Sequence, residues 1–96
     1  MTIRILPEAR ADLIEAYWFY EEREVGIGDY FIESIMGDID SLVVYAGIHA
    51  IHHRKQRFVA SKFPHSIYYL IESNEIQIYA VIDNRRDPEW ISKRLN

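Results

Sequence analysis

The feature that most constrains the fold is a pair of strand-like runs, residues 66–71 and 76–82, separated by only four residues. In both runs, β-branched, aromatic and other apolar side chains recur with the period of two that is typical of strands. The intervening Glu72–Glu75 segment is polar and contains Asn74, which tolerates the left-handed conformation of a tight turn. The sequence therefore predicts an antiparallel hairpin, whose second strand should place four apolar side chains on one face: Ile76, Ile78, Ala80 and Ile82.

The first half of the chain predicts two helices that could cover this face. A short strand at residues 2–6 ends at Pro7, which can open a helix, and apolar residues then recur at helical spacing. Gly26 and Gly28 mark a break, after which Asp29 is expected to cap a second helix. A short glycine-containing link between two amphipathic helices is typical of a helical hairpin.

The apolar pattern also predicts which side chains are buried. We expect Ile14 and Trp18 to widen the apolar stripe of the first helix, whereas the acids Glu15 and Glu21 should face water. The predicted core draws on the first strand, both helices and the hairpin: Ile3, Ile5, Leu13, Tyr17, Phe31, Ile35, Ile39, Leu42, Ile67, Tyr69, Ile78 and Ala80.

The remaining segments complete the predicted architecture. Residues 57–62 indicate a strand ahead of the hairpin, Phe63–His65 a turn, and Pro88 the start of a short terminal helix. We therefore predict a single α+β domain over residues 1–96 with the element order strand, helix, helix, strand, strand, strand. It consists of a small antiparallel sheet, a helical hairpin packed on one face and a short C-terminal helix.

Composition excludes several classes of function. The net charge of −4 argues against nucleic acid as the main partner, because phosphate binding draws on an excess of basic residues. The chain has no cysteine, no long apolar run and no signal-peptide core, so we expect a cytoplasmic protein without a membrane partner. His49, His52 and His53 have a spacing that can chelate, but neither cysteine nor acid lies nearby in the run, so we expect no metal and no cofactor.

Four motifs follow one another along the chain: the opening segment 5–13, the helical break before Phe31, the segment 63–69, and residues 76–90 with their Arg-Arg-Asp-Pro-x-Trp ending. In this order they resemble the RelE/ParE superfamily of bacterial type II toxins. The resemblance covers essentially the whole chain. It implies an α+β domain with the helical hairpin on one sheet face, and a cognate antitoxin that neutralises the domain. It also implies one of two activities, because RelE-like members cleave mRNA in the ribosome and ParE-like members act on DNA gyrase.

A ribonuclease would need a base, an acid and cations at the phosphate. The residues available for these roles are His65, Arg57, Lys62, Arg85 and Arg86. Trp90 stands where a Tyr or His would be useful, and its indole cannot exchange a proton near neutral pH. Asp83 would repel a phosphate. Because this set is incomplete, no catalytic residue is favoured, and a ribosome-dependent endoribonuclease acting on mRNA is kept as the alternative function.

The C-terminal segment resembles ParE-like members more closely, which implies a gyrase inhibitor rather than an enzyme. Arg85 and Arg86 are suited to the carboxylates of a protein partner, because the planar guanidinium can bind both oxygens. With Trp90 they form the predicted partner-binding set. The expected partners are a cognate antitoxin and DNA gyrase. A third alternative also stays open, in which an inactive relative of these toxins serves only as an antitoxin-binding module.

Overall fold

The computed structural model of the protein describes residues 1–96, and its elements follow the predicted order with one addition, the two-residue strand β2. The elements are β1 (Thr2–Ile5), α1 (Pro7–Glu21), α2 (Ile27–Tyr45), β2 (Ile51–His52), β3 (Lys55–Val59), β4 (His65–Glu72), β5 (Glu75–Asp83) and α3 (Pro88–Leu95). The predicted α+β class, with a helical hairpin and a short C-terminal helix, is confirmed.

The sheet has five strands in the order β1-β5-β4-β3-β2. β3, β4 and β5 pair antiparallel, as expected, and the unpredicted β2 pairs antiparallel with β3. β1, in contrast, lies parallel to β5, with Thr2 opposite Glu75 and Ile5 opposite Ile78, so the sheet is not entirely antiparallel as predicted. β1 can take this direction because α1 and α2 separate it from the rest of the sheet, so no tight turn fixes its orientation. β3 runs from Lys55 rather than from residue 57, since it pairs with β2 through a turn at residues 53 and 54.

The β4–β5 hairpin forms as predicted, and its turn uses two left-handed residues. Ser73 (φ 52°) and Asn74 (φ 61°) both have positive φ, as a two-residue type I′ turn requires. This turn matches the right-handed twist of the two strands it joins, so the hairpin register is fixed locally.

A bulge changes the faces of the hairpin halfway along. Tyr68 lies opposite Ala80 while the next residue, Tyr69, lies opposite Ile78, so Tyr79 is the extra residue on β5. Beyond this point, Val81 joins the core beneath the helices, whereas Ala80 and Ile82 are buried on the other face. The prediction that Ala80 and Ile82 share a face with Ile76 and Ile78 is therefore wrong, because one inserted residue inverts the alternation.

The main core lies between the sheet and the helical hairpin. On α2, Phe31, Ile35, Ile39 and Leu42 are fully buried, as the helical spacing predicted. All twelve residues of the predicted core are buried or partly buried. The expectation for Ile14 and Trp18 is wrong: both side chains are more than half exposed, because the buried stripe of α1 runs through Ala9, Leu13, Ala16 and Tyr20.

Glu21, which was expected to face water, instead binds the backbone of the link between the two helices. Its carboxylate accepts hydrogen bonds from the backbone N–H groups of Gly26 and Gly28, each at 3.0 Å. Gly26, in a left-handed conformation with φ 97°, is the N-cap of α2, so the assignment of the cap to Asp29 is wrong. A carboxylate suits this position, because the first N–H groups of a helix have no partner within the helix and carry partial positive charge.

The opposite face of the sheet is partly covered by α3. Leu95 packs there with Tyr68, Ala80 and Ile82, and Lys55 Nζ donates to the Leu95 carbonyl at 2.7 Å. Burial lowers the pKa of the Lys55 ammonium. None of the three helices combines the length and apolar character needed to cross a membrane.

Candidate functional site

A surface groove of about 720 Å³ lies between α1, the end of β5 and α3, and is named here the α1–α3 groove. It exists because β1 ends opposite Ile78, so the last residues of β5 have no neighbouring strand on that side. The turn that follows β5, residues 84–87, contributes the two predicted arginines and Asp87 to the lining of the groove.

Asp12 of α1 takes the place of the missing strand. Its Oδ2 accepts the Val81 N–H at 3.0 Å and a hydrogen bond from Arg94 of α3 at 2.7 Å. Burial raises the pKa of the Asp12 carboxyl, against the opposing effects of the Val81 N–H and the Arg94 guanidinium. One carboxylate thus connects the edge of β5 to both α1 and α3, and both members of the Asp12–Arg94 pair line the groove.

Arg85 forms a local clamp on Asp83. Its Nε and one terminal nitrogen donate to the two carboxylate oxygens at 2.9 and 2.7 Å, and its backbone N–H donates to the first of these oxygens at 2.8 Å. The hydrogen bonds from the Arg85 side chain are the main reason why the pKa of Asp83 is lowered. The sequence indicated that Asp83 would repel a phosphate, but in the fold its charge is neutralised by its neighbour.

Arg86 extends across the groove. Its guanidinium carbon lies 3.9 Å from the centre of the Trp90 ring, and one terminal nitrogen lies 3.1 Å from Oε1 of Glu15 on α1. Trp90 remains 38% exposed, and Phe19, 42% exposed, also lines the groove. The structure therefore brings Arg86 and Trp90 of the predicted partner-binding set into direct contact, and Arg85 lies beside them.

His65 lies in a different environment from the one the sequence suggested. It begins β4, is only 4% exposed, and packs against the rings of Phe31 and Tyr20 on the helical side of the sheet. Its Nδ1 has no hydrogen-bond partner, and neither does the Tyr20 hydroxyl. Burial lowers the pKa of His65, with Asp83 opposing and Arg85 reinforcing the shift.

The other two residues considered for a ribonuclease lie away from His65. Arg57 is on the opposite face of the sheet, where its Nε donates to Ser66 Oγ at 3.0 Å and a terminal nitrogen donates to Asn84 Oδ1 at 3.3 Å. Lys62 is exposed in the β3–β4 loop, with Nζ 5.4 Å from the centre of the Tyr30 ring. The structure therefore brings three of the five candidates, His65, Arg85 and Arg86, to the lining of the α1–α3 groove and leaves Arg57 and Lys62 outside it.

The three histidines of the connector do not converge either. His49 hydrogen-bonds the Tyr69 hydroxyl and stacks on Phe58, whereas His52 and His53 lie exposed in β2 and the turn after it. Burial lowers the pKa of His49. No group of three His, Cys, Asp or Glu side chains is arranged to hold a metal ion.

Sequence reasoning did not assign Asp12, Glu15 and Arg94 to the site. The partners of these residues are 69 to 82 positions away along the chain, a separation that carries no local signal. The one available indication was Asp12, an acid that lies next to the apolar stripe of α1 and therefore close to the sheet.

No protein-family model matches the sequence, and no curated protein matches it either. Among solved structures, the fold is similar to a chain of the chromosomal ParDE TA system from P. aeruginosa, with a TM-score of 0.77 and 19% sequence identity. The similarity covers 86% of this chain and 95% of that chain. At this identity the likeness shows a shared fold, which extends over nearly the whole of both molecules.

Proposed function

We propose that the protein is the toxin of a bacterial type II toxin–antitoxin system, that it is ParE-like, and that a cognate antitoxin neutralises it. The observation that carries the proposal is the similarity of fold, over 86% of the chain, to a chain of a ParDE TA system. The sequence motifs that resemble the RelE/ParE superfamily lead independently to the same class. In this proposal the toxin acts in the cytoplasm, and its target is DNA gyrase.

The side-chain geometry favours an inhibitor that works by binding. A general base must reach the proton that it removes, and its pKa should lie near the working pH. His65 is buried beneath Tyr20 and Phe31, and it is separated by the sheet from Arg57. Ribonuclease activity, the alternative from the sequence, thus has no assembled acid–base set to support it.

The turn after β5 and the start of α3, residues 84–90, supply the elements of a protein-binding surface. Arg86 and Trp90 are stacked and partly exposed, and arginine and tryptophan are the residue types that most often dominate binding energy at protein interfaces. Arg85 contributes to this surface by holding Asp83 and so fixing the turn that carries Arg86. The outer edge of β1 has no strand neighbour, so an antitoxin segment could also bind by strand addition.

Growth of a bacterial host that expresses the chain tests the proposal. Induction of the chain should arrest growth. Co-expression of the expected antitoxin, the product of the neighbouring gene, should restore growth, and this antitoxin should co-purify with the chain. A chain that arrests growth by cutting mRNA on the ribosome would contradict the gyrase assignment. A chain that is harmless yet binds the antitoxin would identify an inactive antitoxin-binding module instead.

A further inference from the structure

The three arginines that line the α1–α3 groove differ in how firmly their acidic partners hold them. Arg94 and Asp12 are both only 17% exposed, and Arg85 binds Asp83 through two parallel hydrogen bonds within one turn. Arg86, in contrast, makes a single contact to Glu15, whose side chain is 75% exposed and belongs to a different element. An exposed single-contact ion pair contributes little to stability, so this pair can exchange partners at low cost.

The guanidinium of Arg86 is also positioned so that it can bind the carboxylate of a partner. Its carbon lies over the Trp90 ring, 3.9 Å from the ring centre, and a single nitrogen contacts Glu15, so its other nitrogen atoms can donate to a new partner. A guanidinium that is already ordered loses less conformational entropy when a carboxylate binds it. Phe19, on the α1 wall of the groove, has the Arg23 guanidinium 3.6 Å from its ring centre but remains 42% exposed, so part of its apolar surface is open.

The balance of charge restricts what can bind. Four acids line the groove against three arginines, and a partner carboxylate on Arg86 would leave Glu15 without its cation. A purely acidic segment would therefore meet repulsion from Glu15 and from Asp87. A segment that carries a carboxylate and a basic side chain would satisfy both members of the pair at once.

On this basis we propose that the α1–α3 groove docks a mixed-charge segment of the antitoxin by exchange of partners. The carboxylate of the segment binds Arg86, its basic side chain binds Glu15, and an apolar side chain packs between Phe19 and Trp90. The Glu15–Arg86 pair keeps both groups neutralised in the free toxin and opens when the segment enters. This inference rests on the proposed toxin function, because it assumes that an antitoxin exists.

A charge-reversal variant tests the exchange while preserving the internal pair. In Glu15→Arg/Arg86→Glu the two charges trade places, so the net charge and the opportunity for an ion pair are retained. The matched control is Glu89→Lys/Lys93→Glu, which reverses an exposed pair (3.7 Å) on α3 outside the groove. Toxin variants and antitoxin are purified separately, and the dissociation constant of each toxin–antitoxin pair is measured by calorimetry. Circular dichroism verifies the fold of each variant.

We expect the groove variant to bind the antitoxin at least about tenfold more weakly than the wild type, and the control variant to bind it within about twofold, since an exposed pair outside an interface contributes little. Equal binding by the groove variant would overturn the proposal while leaving the toxin assignment intact. If the wild-type chain neither arrests growth nor binds any antitoxin, the proposed function itself fails. Should the groove variant not fold, Arg86→Gln supplies the same test, with loss of binding expected and unchanged binding contradicting the proposal.

Discussion

The carboxylate of Asp12 and the guanidinium of Arg94, 82 residues apart in sequence, meet at 2.7 Å and tie α1 to the C-terminal helix. The same carboxylate oxygen also accepts the N–H of Val81, at the point where β5 extends past the end of β1. The lining of the α1–α3 groove therefore includes a largely buried ion pair, Asp12 and Arg94, together with the more exposed Arg86 and Trp90.

Removing the Asp12 carboxylate should destabilise the protein clearly. Asp12→Ala would leave both the Arg94 guanidinium and the Val81 N–H without a partner in a part of the protein that is largely buried, and we expect a loss of about 2–3 kcal/mol. Glu8→Ala is the matched control, because Glu8 also pairs with Arg94 but is 81% exposed. Urea denaturation should show a change of less than about 1 kcal/mol for this control, and equal losses for the two variants would disprove the role of Asp12.

Two glycines of α2 should respond in opposite directions to substitution by alanine. A Cβ atom on Gly28 would lie 2.8 Å from the ring and the carbonyl oxygen of Tyr17, so Gly28→Ala should cost about 1–3 kcal/mol through overpacking. A Cβ atom on Gly37 would meet nothing within 4 Å, so Gly37→Ala should stabilise the helix by about 0.5–1 kcal/mol. Thermal denaturation of both variants tests this contrast, and a stabilising Gly28→Ala would show that α1 and α2 do not approach so closely.

The buried face of α2 can be tested by truncation. Ile35 and Leu42 are fully buried, so replacing either with alanine should cost about 2–5 kcal/mol in the free energy of unfolding. Val44→Ala, at a position that is 75% exposed on the same helix, should change it by less than about 0.5 kcal/mol. A loss below that value at Ile35 would mean that the helix presents a different face to the sheet.

His65 should make stability depend on pH. Because burial lowers its pKa in the folded state below the unfolded value of about 6.5, the unfolded chain binds the proton more readily. Stability should therefore be highest above pH 7, fall as the pH drops through about 6.5, and stop falling from this source below the folded-state pKa. His65→Phe, which cannot titrate, should show a smaller loss of melting temperature between pH 7.5 and 5.5.

The matched control for this experiment is His52→Gln, because His52 faces water in β2. This variant should keep the pH dependence of the wild type. If His65→Phe also keeps it, the buried imidazole is not the group that titrates.

The hairpin, both helices and their buried faces could be predicted because each has a local periodicity. The bulge at Tyr79 could not, since Ala80, Val81 and Ile82 are all buried and the apolar run shows no break where the faces exchange. The role of Glu21 was also hidden: it lies in a run of charged residues that resembles a solvated surface, and only the return of the chain brings it to the N-terminus of α2.

The site was predictable in its residue types but not in its connections. The Arg-Arg-Asp-Pro-x-Trp ending indicated that guanidinium groups would follow the last strand, and Arg85 and Arg86 do lie in the turn after β5. Arg85 pairs locally with Asp83, whereas the pairing of Arg86 with Glu15 depends on how α1 crosses the sheet. Likewise, Pro64 suggested that His65 lies in a turn, whereas its ring is buried between the helices and the sheet.

The measurement that tests the central claim most directly is DNA supercoiling by purified gyrase in the presence of the purified chain. We expect the wild type to inhibit supercoiling and Arg85→Ala/Arg86→Ala to need roughly tenfold more protein for the same inhibition, the scale of losing an arginine hot spot. His65→Phe should inhibit like the wild type, because no acid–base step is involved. Full supercoiling activity at every concentration of the wild type, together with ribosome-dependent mRNA cleavage that His65→Phe abolishes, would contradict the account.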